Sequence, residues 1–290
     1  MSALTAYLAK QHLQKIQPDY LKSHPQVAHF AFDLIGSHIE LYGRFEHSEL
    51  TFLETHIFPK ISSDTTCLDV GANIGNHSLA FSRFFDQVFA FEPNPQTFQL
   101  LKYNASLTEN IRPVNCGLSD RTATDTATIP LGNNGAGHLG STPDTPDTKT
   151  ISFDLRQLDT MADIQAIDRI GFLKIDVEGH EKEALTGAEN TIRKHQPVIA
   201  IEILGHQIPD GTSDTLQYLE TLGYTHFYQL RDNRPLRNAP TPVARLATAL
   251  KALVTGRPPK KSFSPEPLKM LPGKNYPMII CSSDALWDDL

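Results

Sequence analysis

Along most of this chain short apolar runs alternate with stretches of helical spacing. From residue 65 the rhythm is regular. CLDV reads as a first strand and 76–85 as a helix; QVFAFEP is a second strand, and PQTFQLLKYNASL a helix with Phe98, Leu101 and Leu107 roughly on one face. IRPVNCGLSD is a third strand. FLKIDVEG is a fourth, followed by a helix over 181–195 that ends in Arg193, Lys194 and His195 and is stopped by Pro197. Cations in a last turn suit the negative end of the helix dipole. PVIAIEIL, a helix over 215–222, YTHFYQL and a closing strand NYPMIICSS complete the series. Seven strands interleaved with helices predict an α/β fold, a doubly wound and mostly parallel Rossmann-like sheet.

Residues 1–60 stand apart as an N-terminal extension, with the domain proper at 61–290. A helical pattern covers 3–16, HFAFDLIGSHIELYG reads as two short strands about a Gly36-Ser37 turn, and a second helix over 48–58 is ended by Pro59. Two segments interrupt the later rhythm. Residues 119–150, rich in Thr, Gly, Asp and Pro, predict a loop or hairpin over one end of the sheet. Residues 231–276 are an insertion before the last strand, in which Val243, Leu246, Leu250 and Leu253 share one helical face.

Charge sharpens this picture. The insertion holds ten basic residues against Asp232 and Glu266, in a chain of net charge −7, so the remainder carries about −15. The acidic total argues against a protein that coats nucleic acid. The basic segment reads as a solvated cap, or as a dock for an anionic or lipid-linked saccharide or an acidic membrane surface. Cys67, Cys116 and Cys281 are far apart, with no CxxC pair, so neither zinc ribbon nor disulfide framework is indicated. The first twenty residues lack a signal-peptide apolar core, and no run is long enough to span a bilayer. A cytoplasmic protein, with the inner membrane surface as a peripheral location, is the expectation; a homodimer is left open.

The stretch CLDVGANIGNHSLAF carries the first chemistry. Strand, glycine turn and helix form a nucleotide-type site, with backbone able to approach a ligand and free N–H groups at the helix start. A dinucleotide turn has the form G-x-G-x-x-G. Here Asn73 stands where the middle glycine would admit a pyrophosphate. Glu92 ends the second strand 21 residues after Gly71, where a carboxylate accepts from ribose hydroxyls. The pattern favours S-adenosylmethionine, whose carboxylate can use the helix start and whose ammonium can use Asp69; NAD is the alternative.

CLDVGANIGNHSLAF, FAFEPNPQTFQLLKYN, VNCGLSD, FLKIDVEGHEKEALTGAE and PVIAIEI, in this order, resemble the FkbM-type methyltransferases over roughly residues 40–230. The resemblance implies a class I fold and an S-adenosylmethionine-dependent enzyme, most often an O-methyltransferase of sugar or polyketide-like hydroxyls. It implies that Asp69, Gly71, Asn73 and Gly75 surround the methionine part of the cofactor, that Glu92 holds the ribose, that the region of Leu118 lies beside adenine, and that Asp176 faces cofactor and acceptor. The insertion goes beyond the family pattern, so no acceptor is implied.

A hydroxyl must lose its proton to become a good nucleophile, by a general base or by a divalent metal. Asp176, Glu178, His180, Glu202 and His206 follow strand ends that line one crevice. They are the catalytic candidates, with Asp176 and Glu202 as oxygen ligands suited to Mg²⁺ or Mn²⁺. Glu178 reads equally as a brace for the turn before Gly179, and His180 and His206 as capping or exposed residues. His138, in a Gly-rich stretch, reads as solvent-exposed, with a covering role as the alternative. No role is assigned to Lys174. The second enzyme reading is an NAD-linked oxidoreductase; outside enzymes, a silent nucleotide-binding adaptor recruiting a partner through the basic insertion.

Overall fold

The computed structural model describes residues 3–130, 138–139, 148–233, 262–269 and 271–287. Helix α1 (Ala3–Ser23) runs past the expected end and through Pro18. The expected hairpin at 29–43 is instead a helix, α2 (Leu34–Tyr42). The Asp33 carboxylate caps it, accepting from the Gly36 amide at 2.5 Å, and Gly43 closes it in the left-handed region with φ 82°. Gly36 is there for space rather than for a turn, since a Cβ on it would sit 2.4 Å from His29 Nδ1. Helix α3 (His47–Phe52) continues through a π turn (Leu53–Ile57) and a 3-10 turn (Phe58–Lys60). Phe58 then packs on Phe81, Phe84, Phe85 and Phe172, anchoring the extension to one face of the sheet.

The alternating series follows as β1 (Thr66–Val70), α4 (Asn76–Phe81), β2 (Gln87–Phe91), α5 (Pro95–Ala105) and β3 (Ile111–Val114). The expected third strand then breaks. β4 (Gly117–Leu118) leaves the main sheet and joins a small second one with β5 (Ala123–Pro130), β6 (His138–Leu139) and β7 (Thr148–Arg156), in the order β4-β7-β5-β6. β5 and β7 pair antiparallel from Ala123–Leu155 to Pro130–Thr148, so the polar interruption is a hairpin. After α6 (Ala162–Gln165) come β8 (Ile170–Ile175), α7 (Glu181–Thr186), α8 (Glu189–His195), β9 (Val198–Ile203), α9 (Asp214–Thr221), β10 (His226–Asp232), β11 (Phe263–Pro267) and β12 (Tyr276–Ser282).

The main sheet has the order β3-β2-β1-β8-β9-β12-β10-β11. β3, β2, β1, β8 and β9 pair in parallel, and β12 runs against both β9 and β10. Eight strands replace the expected seven. The additional one, β11, comes from the insertion and pairs antiparallel with β10, covering what would be an open sheet edge. The proposed helix of the insertion and the His138 side chain lie outside the described residues. Both faces of the sheet are buried: Leu68, Val70, Phe89 and Phe91 point into one core, Cys67, Val88 and Ala90 into the other. The three cysteines are free and buried. Among the described residues no helix is long and apolar enough to cross a membrane. Chain direction reverses its progress across the sheet between β1 and β8, which opens a crevice at their C-terminal ends.

Candidate active site

The turn after β1 is built by close approach. Gly71 has φ 78°, and a Cβ there would overlap the Asp176 carbonyl oxygen at 1.8 Å, so two strand ends meet at a residue that must be glycine. Asn73, in the place of the middle glycine, takes φ 51°, a conformation asparagine tolerates better than most side chains. Its amide donates to Glu92 Oε2 at 3.0 Å, and the Asn94 amide donates to Glu92 Oε1 at 2.7 Å. Glu92 thus ties the glycine turn to the start of α5 while facing the cavity. Burial pushes its carboxyl up to about 7, against the pull of those two amides.

Beyond β8 the site turns acidic. Lys174 on β8 and Asp176 just past its end are two positions apart, a spacing that puts them on one face, though no role for Lys174 followed from the sequence. Lys174 Nζ lies 2.9 Å from Asp176 Oδ2 and 4.0 Å from Asp69 Oδ1, the residue opposite it in the β1–β8 register. Burial disfavours the Lys174 ammonium, but Asp176, Asp69 and Glu46 outweigh it and hold its pKa above the usual lysine range. Asp69 accepts from Ser78 Oγ at 2.6 Å and is wholly buried. It lies behind the cavity wall, where it supports Lys174 and α4, and is not among the residues lining the cavity.

Asp176 and Glu202 are hydrogen-bonded to each other. Burial and the neighbouring Asp176 charge raise Glu202 to about 9. Asp176 is held low despite burial, by Lys174 and by the Glu202 hydrogen bond. The pair therefore holds one proton between its two carboxylates at neutral pH. Glu178 sits beside them in a left-handed conformation, φ 53°. The turn before Gly179 is braced by buried Glu181, which accepts from the Gly179 amide at 2.9 Å and from Gln207 Nε2 at 2.6 Å. His180 lines the cavity with Nε2 2.9 Å from Ser119 Oγ. His206 does not line it; its ring stands 3.7 Å from where a Gly179 Cβ would be.

These parts enclose a cavity of about 420 Å³, within the range of small-ligand pockets. Gly71, Asn73, Glu92, Leu118, Asp176, Glu178, His180 and Glu202 all line it. So do residues the sequence did not single out. Glu46 and Phe45 come from the N-terminal extension, and His77 from the start of α4, with His77 Nε2 3.1 Å from Glu46 Oε2. No spacing in the sequence joins Glu46 to the glycine turn 25 residues later; tertiary contact does.

The donor set discriminates between ligands. Among the described lining residues one lysine and no arginine face the space, against Glu46, Glu92, Asp176, Glu178 and Glu202. A ligand bringing ammonium and sulfonium charge with ribose hydroxyls fits such walls; a pyrophosphate finds no cationic clamp. Asp176, Glu178 and Glu202 can bring three oxygens within 4.8 Å of one another. Yet Lys174 already stands 2.9 Å from Asp176 Oδ2 with its positive charge, and a divalent ion would compete with it for that carboxylate. The set fits an ammonium and a proton better than Mg²⁺ or Mn²⁺.

The sequence model of the methyltransferase FkbM domain matches residues 69–225, more than half of the chain. The chain belongs to the FkbM-type family of S-adenosylmethionine-dependent methyltransferases. Among curated relatives it is similar to the hexuronic acid methyltransferase AglP of Haloferax volcanii, 34% identical over 145 residues, a match spanning 49% of this chain and 58% of that one. It is also similar to Methyltransferase 1 of Beauveria bassiana, 25% identical over 201 residues, spanning 62% of this chain and 80% of the relative. Among solved structures, a methyltransferase FkbM from Methylobacillus flagellatus superposes with a TM-score of 0.43 at 20% identity, covering 75% of this chain and 55% of that chain.

Proposed function

We propose that this methyltransferase transfers the methyl group of S-adenosylmethionine to a hydroxyl of a saccharide. The observation that carries the reading is Glu92, a buried carboxylate at the end of β2 whose two oxygens each take one backbone amide and face the cavity. Each oxygen has a second lone pair, matching a ribose diol. Gly71, Asn73 and Gly75 belong to the turn beside the methionine part, and Leu118 is the apolar neighbour for adenine. The relative that is a hexuronic acid methyltransferase supports a sugar acceptor.

Bound cofactor supplies a methyl group on a positively charged sulfur. What this chain supplies is alignment, exclusion of water and a place for the proton. The Asp176 carboxylate, held ionised by Lys174, orients the acceptor hydroxyl and accepts its proton as the methyl group arrives; Glu202, bonded to it, keeps Asp176 in place, and Glu178 and His180 bound the acceptor side. His206 acts from outside the cavity by supporting the turn at Gly179. The basic insertion favours an anionic or lipid-linked acceptor reaching the site along the membrane surface.

The test is incubation of the protein with isotopically labelled S-adenosylmethionine and a panel of neutral, amino and uronic saccharides, with products read by mass spectrometry. A methyl ether on a sugar oxygen is expected, at an undiminished rate in chelator. Label on a carboxylate or on nitrogen would move the reaction off hydroxyls. Oxidation of the sugar with NAD would overturn the cofactor, and no turnover on any panel member would favour the adaptor.

A further inference from the structure

The N-terminal extension does more than pad the sheet. Asn76, the first residue of α4, clamps it by the backbone: the Phe45 amide donates to Asn76 Oδ1 at 2.9 Å, and Asn76 Nδ2 donates to the Phe45 carbonyl at 3.1 Å. This fixes the next residue, Glu46, against the glycine turn. Glu46 is held at φ 50°, a left-handed conformation that a glutamate adopts only at a cost in strain. Its carboxylate lines the cavity beside His77, a ring 8% exposed whose buried Nε2 has no well-aligned hydrogen bond among the described residues. Lys174, the one lysine among the described lining residues, is engaged instead with Asp176 at 2.9 Å. A carboxylate is thus pressed onto the methionine side of the cavity in a strained conformation, while Lys174, whose charge it helps to hold, makes its close ion pair with Asp176 instead.

We propose that Glu46 is the ionic partner of the α-ammonium group of the cofactor, and that the extension from 34 to 46 closes the methionine end of the cavity. The inference rests on the S-adenosylmethionine reading above. It makes cofactor affinity depend on a segment distant in sequence from the glycine turn, with Leu34, Ile35 and Phe45 as the apolar part of the closure. Strain at Glu46 is then offset when a cation arrives.

The experiment is calorimetric titration of the full-length protein with S-adenosylhomocysteine, which has the amino-acid tail, and with 5′-methylthioadenosine, which lacks it. The variants are Glu46→Gln and Glu46→Asn; asparagine removes the charge yet suits the left-handed backbone. Both variants are expected to bind S-adenosylhomocysteine about 10- to 100-fold more weakly, as for loss of a charged hydrogen bond, with methylthioadenosine affinity unchanged. Unchanged S-adenosylhomocysteine affinity with lost turnover would put Glu46 on the acceptor and overturn the proposal. Equal loss for both ligands would make Glu46 a support of the turn, which also overturns it. If neither ligand binds the unaltered protein, the cofactor reading itself falls, separately from Glu46.

Discussion

A buried carboxylate with no cation beside it weakens the fold as it ionises. Glu92 is raised from 4.5 to about 7 by burial, so between these values the folded protein holds a proton that the unfolded chain has released. Without cofactor, the Glu92 contribution therefore erodes stability as pH rises through that window and levels off above it, by at most on the order of 3 kcal/mol. Glu92→Gln should remove that part of the slope, making the variant relatively more stable at pH 8 than at pH 5. Urea melts of both proteins at the two pH values measure it, and parallel curves would deny Glu92 its buried proton. The same variant should bind S-adenosylhomocysteine about tenfold or more weakly. Glu202, raised to about 9, shifts stability in the same direction in both proteins and cancels in the comparison.

Elements here are placed by single residues that sequence patterning reads differently. The run from 181 to 195 has uninterrupted helical spacing, yet the chain forms α7 and α8 with Gly187 between them. A Cβ on Gly187 would sit 1.8 Å from the Ser119 carbonyl oxygen, so the helix breaks where the chain after β4 crosses it. Gly187→Ala should cost several kcal/mol by overpacking against backbone, seen as a fall in melting temperature of well over 5 °C. A variant that melts with the unaltered protein would show that the crossing can yield. Asn104 does the opposite, joining elements. It pairs with the Ala28 amide and carbonyl at 2.8 and 2.9 Å and donates to the Ile74 carbonyl at 2.7 Å. Asn104→Ala should free the extension near Ala28, at a cost of about 2–4 kcal/mol, and speed hydrogen exchange there before the sheet. Uniform exchange rates in the variant would contradict a local clamp. Neither residue announces its role in the sequence, because what each touches is 30 to 76 positions away.

Charge separation is a property of the whole molecule. A segment of net +8 interrupts a chain of −7 whose described cavity is walled by carboxylates. If an anionic saccharide is drawn in by the segment, its KM should rise steeply with salt between about 20 and 200 mM, while that of a neutral saccharide stays flat. Steady-state kinetics at three salt concentrations decide it, and identical salt curves would leave the insertion with a packing role at the sheet edge through β11.

The main sheet was legible because its strands and helices carry local signals: apolar runs of strand length, helical spacing between them, and a glycine turn with a carboxylate one strand later. These depend on near neighbours in the chain, and they led to β1, β2, β8 and β9 with Gly71, Asn73, Glu92, Asp176 and Glu202 at their ends. Tertiary structure decided the rest. It withdrew Asp69 behind the wall, set Asp176 against Glu202, and brought Glu46 to the glycine turn. Burial and through-space charge set these outcomes, and neither is carried by sequence spacing.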